Sequence, residues 1–210
     1  DVAREMESSP ATFRAMAANK SMATLFFEPS TRTRGSFESA MKRLGGDTIS
    51  TTGMESTSMS KGESLADTAR IWSGYSDLIV LRHSWEGAAR LAAEYAEVPV
   101  INAGDGSHEH PSQTLVDLYT LMKEYHSLNG LRVALCGDLQ RNRSIHSLIY
   151  ALLRFNVEFF LLPAAGLELP DYVTDKIAAS FDARIQDLPL DAFASLYVKP
   201  LNGQDAVEGS

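Results

Sequence analysis

The sequence predicts an α/β protein built on parallel sheets flanked by helices, and three observations carry that prediction. Short apolar runs alternate with stretches of helical periodicity along the 210-residue chain. The clearest run, Asp77-Leu78-Ile79-Val80-Leu81, is almost continuously apolar, as a strand covered on both faces is. Polar segments follow the runs directly: 30–34 after the first, Arg82-His83 after Leu81, 104–110 after Ile101, and 138–143 after Cys136. Parallel sheets bind ligands beyond the carboxyl ends of their strands, so four such segments directed to one edge are expected to form a site.

Taken in order, residues 2–19 read as a helix end and a polar connection. Residues 22–27 are a short apolar run and read as a strand. A helix over about 34–44 follows, with Phe37, Ala40, Met41 and Leu44 at helical spacing, and Gly45-Gly46 stops it. Residues 47–52, rich in Thr with Ile49 among them, read as a second strand. The segment 53–60 has four serines and threonines among eight residues and reads as a mobile loop. Helical periodicity returns over 63–72. A strand at 77–81, an alanine-dominated helix at 85–95 and a strand at 98–102 come next. Residues 111–125 read as a helix with Pro111 in its first turn, where the missing N–H costs nothing. The segment 126–130 reads as a joint between two domains, 1–125 and 126–210. Beyond it, strands at 131–136, 157–162 and 195–198 alternate with helices at 143–154 and 170–179. No repeat or low-complexity tract interrupts the pattern.

Composition narrows the function. Hydrophobic content of 44% and charged content of 22% are ordinary for a globular protein. A net charge of −8 argues against a nucleic-acid binder that relies on bulk positive charge. Small anions stay open, because local arginine clusters hold those. The single cysteine, Cys136, excludes an intramolecular disulfide and fits a reducing cytoplasm, and it is expected to lie buried in its strand. No apolar run approaches the ~18 residues of a membrane span, so none is expected. The first residues, Asp1-Val2-Ala3-Arg4-Glu5, lack a signal-peptide pattern and an initiator Met, and a mid-chain start is expected.

The strongest chemical signal is Ser30-Thr31-Arg32-Thr33-Arg34, which follows Phe26-Phe27-Glu28-Pro29. Three hydroxyls and two guanidinium groups fall at the mouth of a helix, where unpaired N–H groups and the positive dipole end already favour an anion. Arginine grips oxyanions with two parallel hydrogen bonds. The segment lacks the glycines and the Lys-Ser/Thr pair of a nucleotide loop. The expected ligand is therefore a small phosphate ester or anhydride.

Other segments have two readings each. Arg82-His83 is either a strand end meeting solvent or a second contact to phosphate or carbonyl. His110 and Gln113 share one face of a helix's first turn. They either cap that helix or donate to a carbonyl oxygen and bond an amide-like group. Lys61-Gly62-Glu63 is either a helix start or a lysine on a loop reaching an anion, on a neighbouring subunit in the sharper version. His108-Glu109-His110 invites a metal, but metal sites draw ligands from separated segments, and no metal is expected. Gly137-Asp138-Leu139 has one glycine where a dinucleotide turn needs three. Arg143, at the next helix entrance, suits a carboxylate, whereas Arg141 reads as surface charge.

Together these residues carry a resemblance. Ser30-Thr31-Arg32-Thr33-Arg34, Lys61-Gly62-Glu63, Arg82-His83, Asn102-Ala103-Gly104-Asp105-Gly106, His110-Pro111-Ser112-Gln113 and Asp117-Leu118 follow the order and spacing of the aspartate/ornithine carbamoyltransferase family. Gly104-Asp105-Gly106 resembles the aspartate branch, and Gly137-Asp138-Leu139 with Arg143 and His146-Ser147 is similar to the start of that branch's aspartate-binding domain. The resemblance covers roughly residues 20–175. It implies two Rossmann-like domains, the second incomplete. It also implies transfer of a carbamoyl group from carbamoyl phosphate to the amino group of L-aspartate in pyrimidine synthesis, without metal or cofactor. Ser30, Thr31, Arg32 and Thr33 would hold the phosphate, and Arg82 would bridge phosphate and carbonyl oxygen. Thr33 and His110 would polarise that oxygen, Gln113 would orient the carbamoyl nitrogen, and Arg143 would hold the α-carboxylate. Thr57 and Lys61 resemble residues lent by an adjacent subunit, which implies a homotrimer. A sister transferase with another amine acceptor, or a non-catalytic assembly module, is the alternative. Regulatory chains or other pyrimidine enzymes are conceivable partners. The leaving phosphate is the candidate base, with Asp138 the one carboxylate expected free among the site loops. The family's Arg-x-Gln segment after 195–198 is replaced by Lys199-Pro200-Leu201-Asn202.

Overall fold

Four parallel strands in the order β2-β1-β3-β4 form the first sheet: β1 (Ser21–Phe26), β2 (Asp47–Thr52), β3 (Leu78–His83) and β4 (Val100–Asp105). The computed structural model describes residues 2–53, 55, 57–180 and 184–189. A first helix, α1 (Val2–Ser8), and a 3-10 turn at Pro10–Phe13 precede the sheet. Between and after the strands come α2 (Thr31–Arg43), a 3-10 turn at Ser58–Lys61, α3 (Leu65–Ser73), α4 (Ala88–Tyr95) and α5 (Pro111–Tyr125).

The continuous apolar run of β3 has the reason expected of it. Odd-numbered residues Ala23, Leu25, Ile79 and Leu81 pack on Leu65 and Ala69 of α3 and on Ala88, Ala89 and Ala92 of α4. The alanines let α4 lie close to the strands. Even-numbered residues Met22, Phe26 and Val80 face the other way, with Ala103 and with Met41 and Phe37 of α2. Each fully buried Leu or Ile in such a layer contributes roughly 2 kcal/mol.

A second sheet, in the order β5-β6-β7, is also parallel: β5 (Arg132–Gly137), β6 (Glu158–Pro163) and β7 (Arg184–Asp187). Helices α6 (Arg143–Leu152) and α7 (Asp171–Ser180) accompany it, with a 3-10 turn at Leu153–Phe155. Its core gathers Leu135, Phe159, Leu161, Ile149, Leu152, Val173 and Ile177. The fold divides into two compact units, Asp1–Gln113 and Thr114–Ser210.

Several expectations change in detail. Helix α2 begins three residues earlier than periodicity suggests, so Thr31 and Thr33 are helical. β3 continues through Arg82 and His83, and β4 through Gly104 and Asp105, because these polar residues are buried and stay in the ladder. The segment 53–60 contains the start of a 3-10 turn. Cys136 lies in β5 as expected but is exposed rather than buried. Leu131, Val133 and Leu135 take the core face of this strand, which leaves Cys136 on the opposite one. β7 was not foreseen, and the strand expected at 195–198 lies outside the described residues.

Candidate active site

Three of the four polar segments meet at the carboxyl edge of the first sheet. The fourth, 138–143, follows β5 and belongs to the second unit, so the four do not share one sheet edge.

The first segment enters α2. Ser30 is its N-cap, with φ −161° and ψ 97°, yet its hydroxyl makes no capping hydrogen bond. N-cap hydroxyls normally satisfy one of the first free N–H groups. Here the backbone donors and the Ser30 Oγ are both left for something else. No acidic residue occupies the first turn. Thr31 and Arg32 are exposed, and Thr33 is half-buried. Arg34 is turned onto its own helix, with Nε 3.6 Å from Glu38 Oε1. Glu38 in turn accepts from the hydroxyls of Ser50 at 2.6 Å and Thr24 at 3.2 Å, which ties α2 to β1 and β2. Arg32 is therefore the arginine left to grip an anion, and Arg34 is a strut.

Arg82 and His83 take opposite faces of β3, as successive strand residues do. Arg82 is only 7% exposed. Its Nη2 donates to Glu28 Oε1 at 2.6 Å and its Nη1 to the Ala103 carbonyl at 3.3 Å. Its Nε is buried without a hydrogen-bond partner among the described residues. A buried guanidinium this close to a carboxylate is held in place but not saturated. Glu28 follows β1 and Ala103 lies in β4, so Arg82 links all three strand ends.

His83 is fully buried against Phe27 and Trp85, with ring centroids 5.5 Å and 4.6 Å away. Its Nδ1 accepts the Trp85 backbone N–H at 2.9 Å, so the proton sits on Nε2, which has no partner among the described residues. Burial pushes its pKa below the ordinary value, against the opposing pull of the Glu28 charge. A neutral ring facing Phe27 and Trp85 reads as a loop brace. Of the pair, Arg82 alone keeps the ligand-contact reading.

His110 closes the loop after β4 and is 9% exposed, with Nδ1 3.2 Å from Ser112 Oγ. Gln113, one helical turn on, is exposed, and its N–H donates to the His110 carbonyl at 3.1 Å. Beyond β2, Thr57 caps the Ser58–Lys61 turn in extended conformation without a side-chain cap bond, and Lys61 is exposed at the other end. Among the described residues no three His, Cys, Asp or Glu side chains could share a metal ion. No described helix is long and apolar enough to cross a membrane.

In the second unit Arg143 opens α6. The Asn142 side chain caps that helix, accepting from Ser144 N–H at 3.2 Å and Ile145 N–H at 3.4 Å. Asp138 Oδ1 accepts the Arg141 N–H at 2.9 Å, so the carboxylate expected to be free has a turn to hold. Buried His146 donates from Nε2 to the Leu139 carbonyl at 2.8 Å and accepts from Tyr172 OH at 3.2 Å, fixing the same loop.

Sequence reasoning missed two carboxylates at the edge of the first sheet, Glu28 and Asp105. Glu28 had a signal: a lone acid two residues before a cationic cradle needs a cation of its own. Asp105 had none, because a Gly-Asp-Gly segment reads as a turn.

Residues 1–123 match the family model described as aspartate/ornithine carbamoyltransferase, carbamoyl-P binding domain. The aspartate carbamoyltransferase catalytic subunit of Methanocaldococcus jannaschii is 54% identical over 182 residues, 85% of this chain and 60% of the relative. A crystal form of the M. jannaschii aspartate transcarbamoylase catalytic subunit superposes with a TM-score of 0.81 at 48% identity, covering 93% of this chain and 64% of that one. Aspartate transcarbamoylase from Trypanosoma cruzi, solved with carbamoyl aspartate and phosphate, gives a TM-score of 0.80 at 37% identity, covering 89% and 62%. The chain thus spans about three fifths of the length of the relatives it matches here.

Proposed function

The chain belongs to the aspartate/ornithine carbamoyltransferase family, and on that premise we propose that its protein transfers a carbamoyl group from carbamoyl phosphate to the α-amino group of L-aspartate. N-carbamoyl-L-aspartate and phosphate would be the products, as an early step of pyrimidine synthesis in the cytoplasm. The observation that supports this best is the uncapped entrance of α2, with Ser30 Oγ unspent and no acid in the first turn, on the same sheet edge as a half-satisfied Arg82.

The chemistry asks for little more. The amine attacks the carbonyl carbon, the N–C bond forms and negative charge builds on the oxygen. The C–O bond to phosphate then breaks, and its electron pair leaves with the phosphate, which can take the proton the amine gives up. In this reading Ser30, Thr31, Arg32 and Thr33 hold the phosphate and Arg82 spans phosphate and carbonyl oxygen. Thr33 and His110 add donors at that oxygen, and Gln113 orients the carbamoyl nitrogen. Donors fixed before reaction stabilise the developing charge without reorganising, and losing one costs ~10²–10³ in rate. Arg143 is assigned to the aspartate α-carboxylate. Residues 1–125 are assigned to carbamoyl phosphate and 126–210 to aspartate. Thr57 and Lys61 are assigned to a neighbour's site in a homotrimer.

The test is product analysis on the full-length protein with carbamoyl phosphate and aspartate, ornithine or other amines. Carbamoyl-aspartate is the expected product, and its absence sinks the reading. Mixing Arg32→Ala and Lys61→Ala proteins, each inactive, is expected to restore partial activity if sites are shared between subunits. No recovery after confirmed subunit exchange overturns the sharing.

A further inference from the structure

Asp105 is the last residue of β4, is 2% exposed, and lies opposite His83 in the ladder. Its carboxylate is nearly saturated. Oδ1 accepts from Asn102 Nδ2 at 2.9 Å and from the Glu109 N–H at 3.2 Å. Oδ2 accepts from the Gly87 N–H at 2.9 Å and stands 3.3 Å from His108 Nδ1. The backbone adds two more ties: the Asp105 N–H donates to the Glu109 carbonyl at 3.2 Å and the Gly106 N–H to the His83 carbonyl at 2.9 Å. One side chain thus holds two turns, the one that follows Arg82-His83 and starts α4, and the one that ends at His110.

The two turns touch closely enough to need a glycine. A Cβ on Gly106, at φ +56°, would sit 2.7 Å from Glu86 Cγ and 2.9 Å from the Ser84 carbonyl oxygen. Buried charge without compensation is costly, and a carboxylate placed here is stable only because several donors converge on it. Neither oxygen has room in its hydrogen bonding for a ligand, so the group acts through its neighbours.

We propose that Asp105 is a positioning residue for carbamoyl transfer, the side chain that, with the backbone ties beside it, sets His110 relative to Arg82. The inference rests on the function proposed above for His110. It assigns Asp105 no contact with substrate. Asparagine is the discriminating replacement, because it keeps the shape but turns one acceptor oxygen into an NH2 that faces existing donors.

The experiment uses the full-length protein and its Asp105→Asn variant, with three readouts: steady-state rates, the affinity for inorganic phosphate by calorimetry, and the His110 ring signals by NMR across pH. The expected result is a kcat lower by ~10²-fold, as an ångström-scale misplacement gives, with phosphate affinity within about twofold and the His110 ring signals and titration moved. An unchanged His110 ring overturns the proposal, as does a fall in phosphate affinity matching the fall in kcat. If Asp105→Asn does not fold, Asn102→Asp keeps the acceptor of the Gly104 N–H at 2.7 Å but replaces the donor to Oδ1, and is expected to show the same split at about tenfold or less; unsplit kinetics there overturn the proposal. Should the wild-type protein transfer no carbamoyl group at all, the functional reading falls, while the His110 signals still report whether Asp105 sets that ring.

Discussion

The entrance of α2 and the ends of β3 and β4 lie on one sheet edge and are built in opposite ways. At the entrance the cationic and hydroxyl groups are exposed or half-buried and make few internal bonds: Ser30 caps nothing, and Arg32 is open to solvent. At the strand ends Arg82, His83, Asp105 and His110 are buried, and the carboxylates are consumed by protein donors. The contrast separates two tasks. A group that must meet a mobile anion keeps its hydrogen-bonding capacity unspent. A group that must hold an angle spends it on the protein beforehand. The helix entering at Arg143 shows the alternative at an entrance, since Asn142 caps it and satisfies the donors that Ser30 leaves free.

Substitution should break the two regions differently. Arg32→Ala is expected to lower turnover by at least ~10²–10³, at saturating carbamoyl phosphate as well, with an unchanged melting temperature, because an exposed side chain leaves the fold alone. Steady-state kinetics beside a thermal melt checks this, and undiminished rates at saturating carbamoyl phosphate refute the assignment. Glu28→Gln acts on the buried side. It strands a mostly buried guanidinium, and a loss of about 2 kcal/mol in stability is expected, less than the ~3–5 kcal/mol of a fully buried pair because Glu28 is 26% exposed. Inorganic phosphate should recover part of that loss, so the phosphate-induced rise in Tm should be larger in Glu28→Gln than in the wild type.

Smaller effects sharpen the same division. Gly106→Ala is expected to cost about 1–2 kcal/mol in chemical denaturation, since its positive φ and the nearby Ser84 carbonyl leave no easy place for a methyl group. The smallest effect is a pH dependence. His83 has a folded pKa below its ordinary 6.5. Its neutral form is therefore favoured by folding, and its contribution to stability is present above about pH 6.5. That contribution is lost as pH falls towards the folded pKa, at no more than ~1.4 kcal/mol per pH unit. Denaturation at pH 7.5 and 5.5 should show a shallower pH slope in His83→Gln than in the wild type.

Much of this was legible from residues alone because it depends on local pattern. The strand at 47–52 and the helix at 111–125 coincide with β2 and α5, where a Thr-rich run and a Pro at the first turn are signals complete within a few residues. The helix entrance near 30–34 was legible for the same reason. Arg82 was visible as a charge after an apolar run, but its partner Glu28 is 54 residues away, and no local pattern couples them. Asp105 and Gly106 were hidden more deeply, because their role depends on a second turn that packs against them. Cys136 misled because side chains alternate along β5, and Val133 and Leu135 take the face that meets the core.

The order β2-β1-β3-β4 also has a consequence for the chain in time. β1 is synthesised before both of its neighbours in the sheet, and its partner β3 lies 56 positions later, Met22 pairing with Leu78. At about 5–20 residues per second, synthesis leaves β1 without that neighbour for roughly 3–11 s. Its apolar residues and one edge of unpaired backbone are bare for that interval, long compared with the microseconds in which a chain of this size collapses. The buried setting of Arg82, which draws on Glu28 before it and Ala103 after it, can therefore form only once β4 has been made.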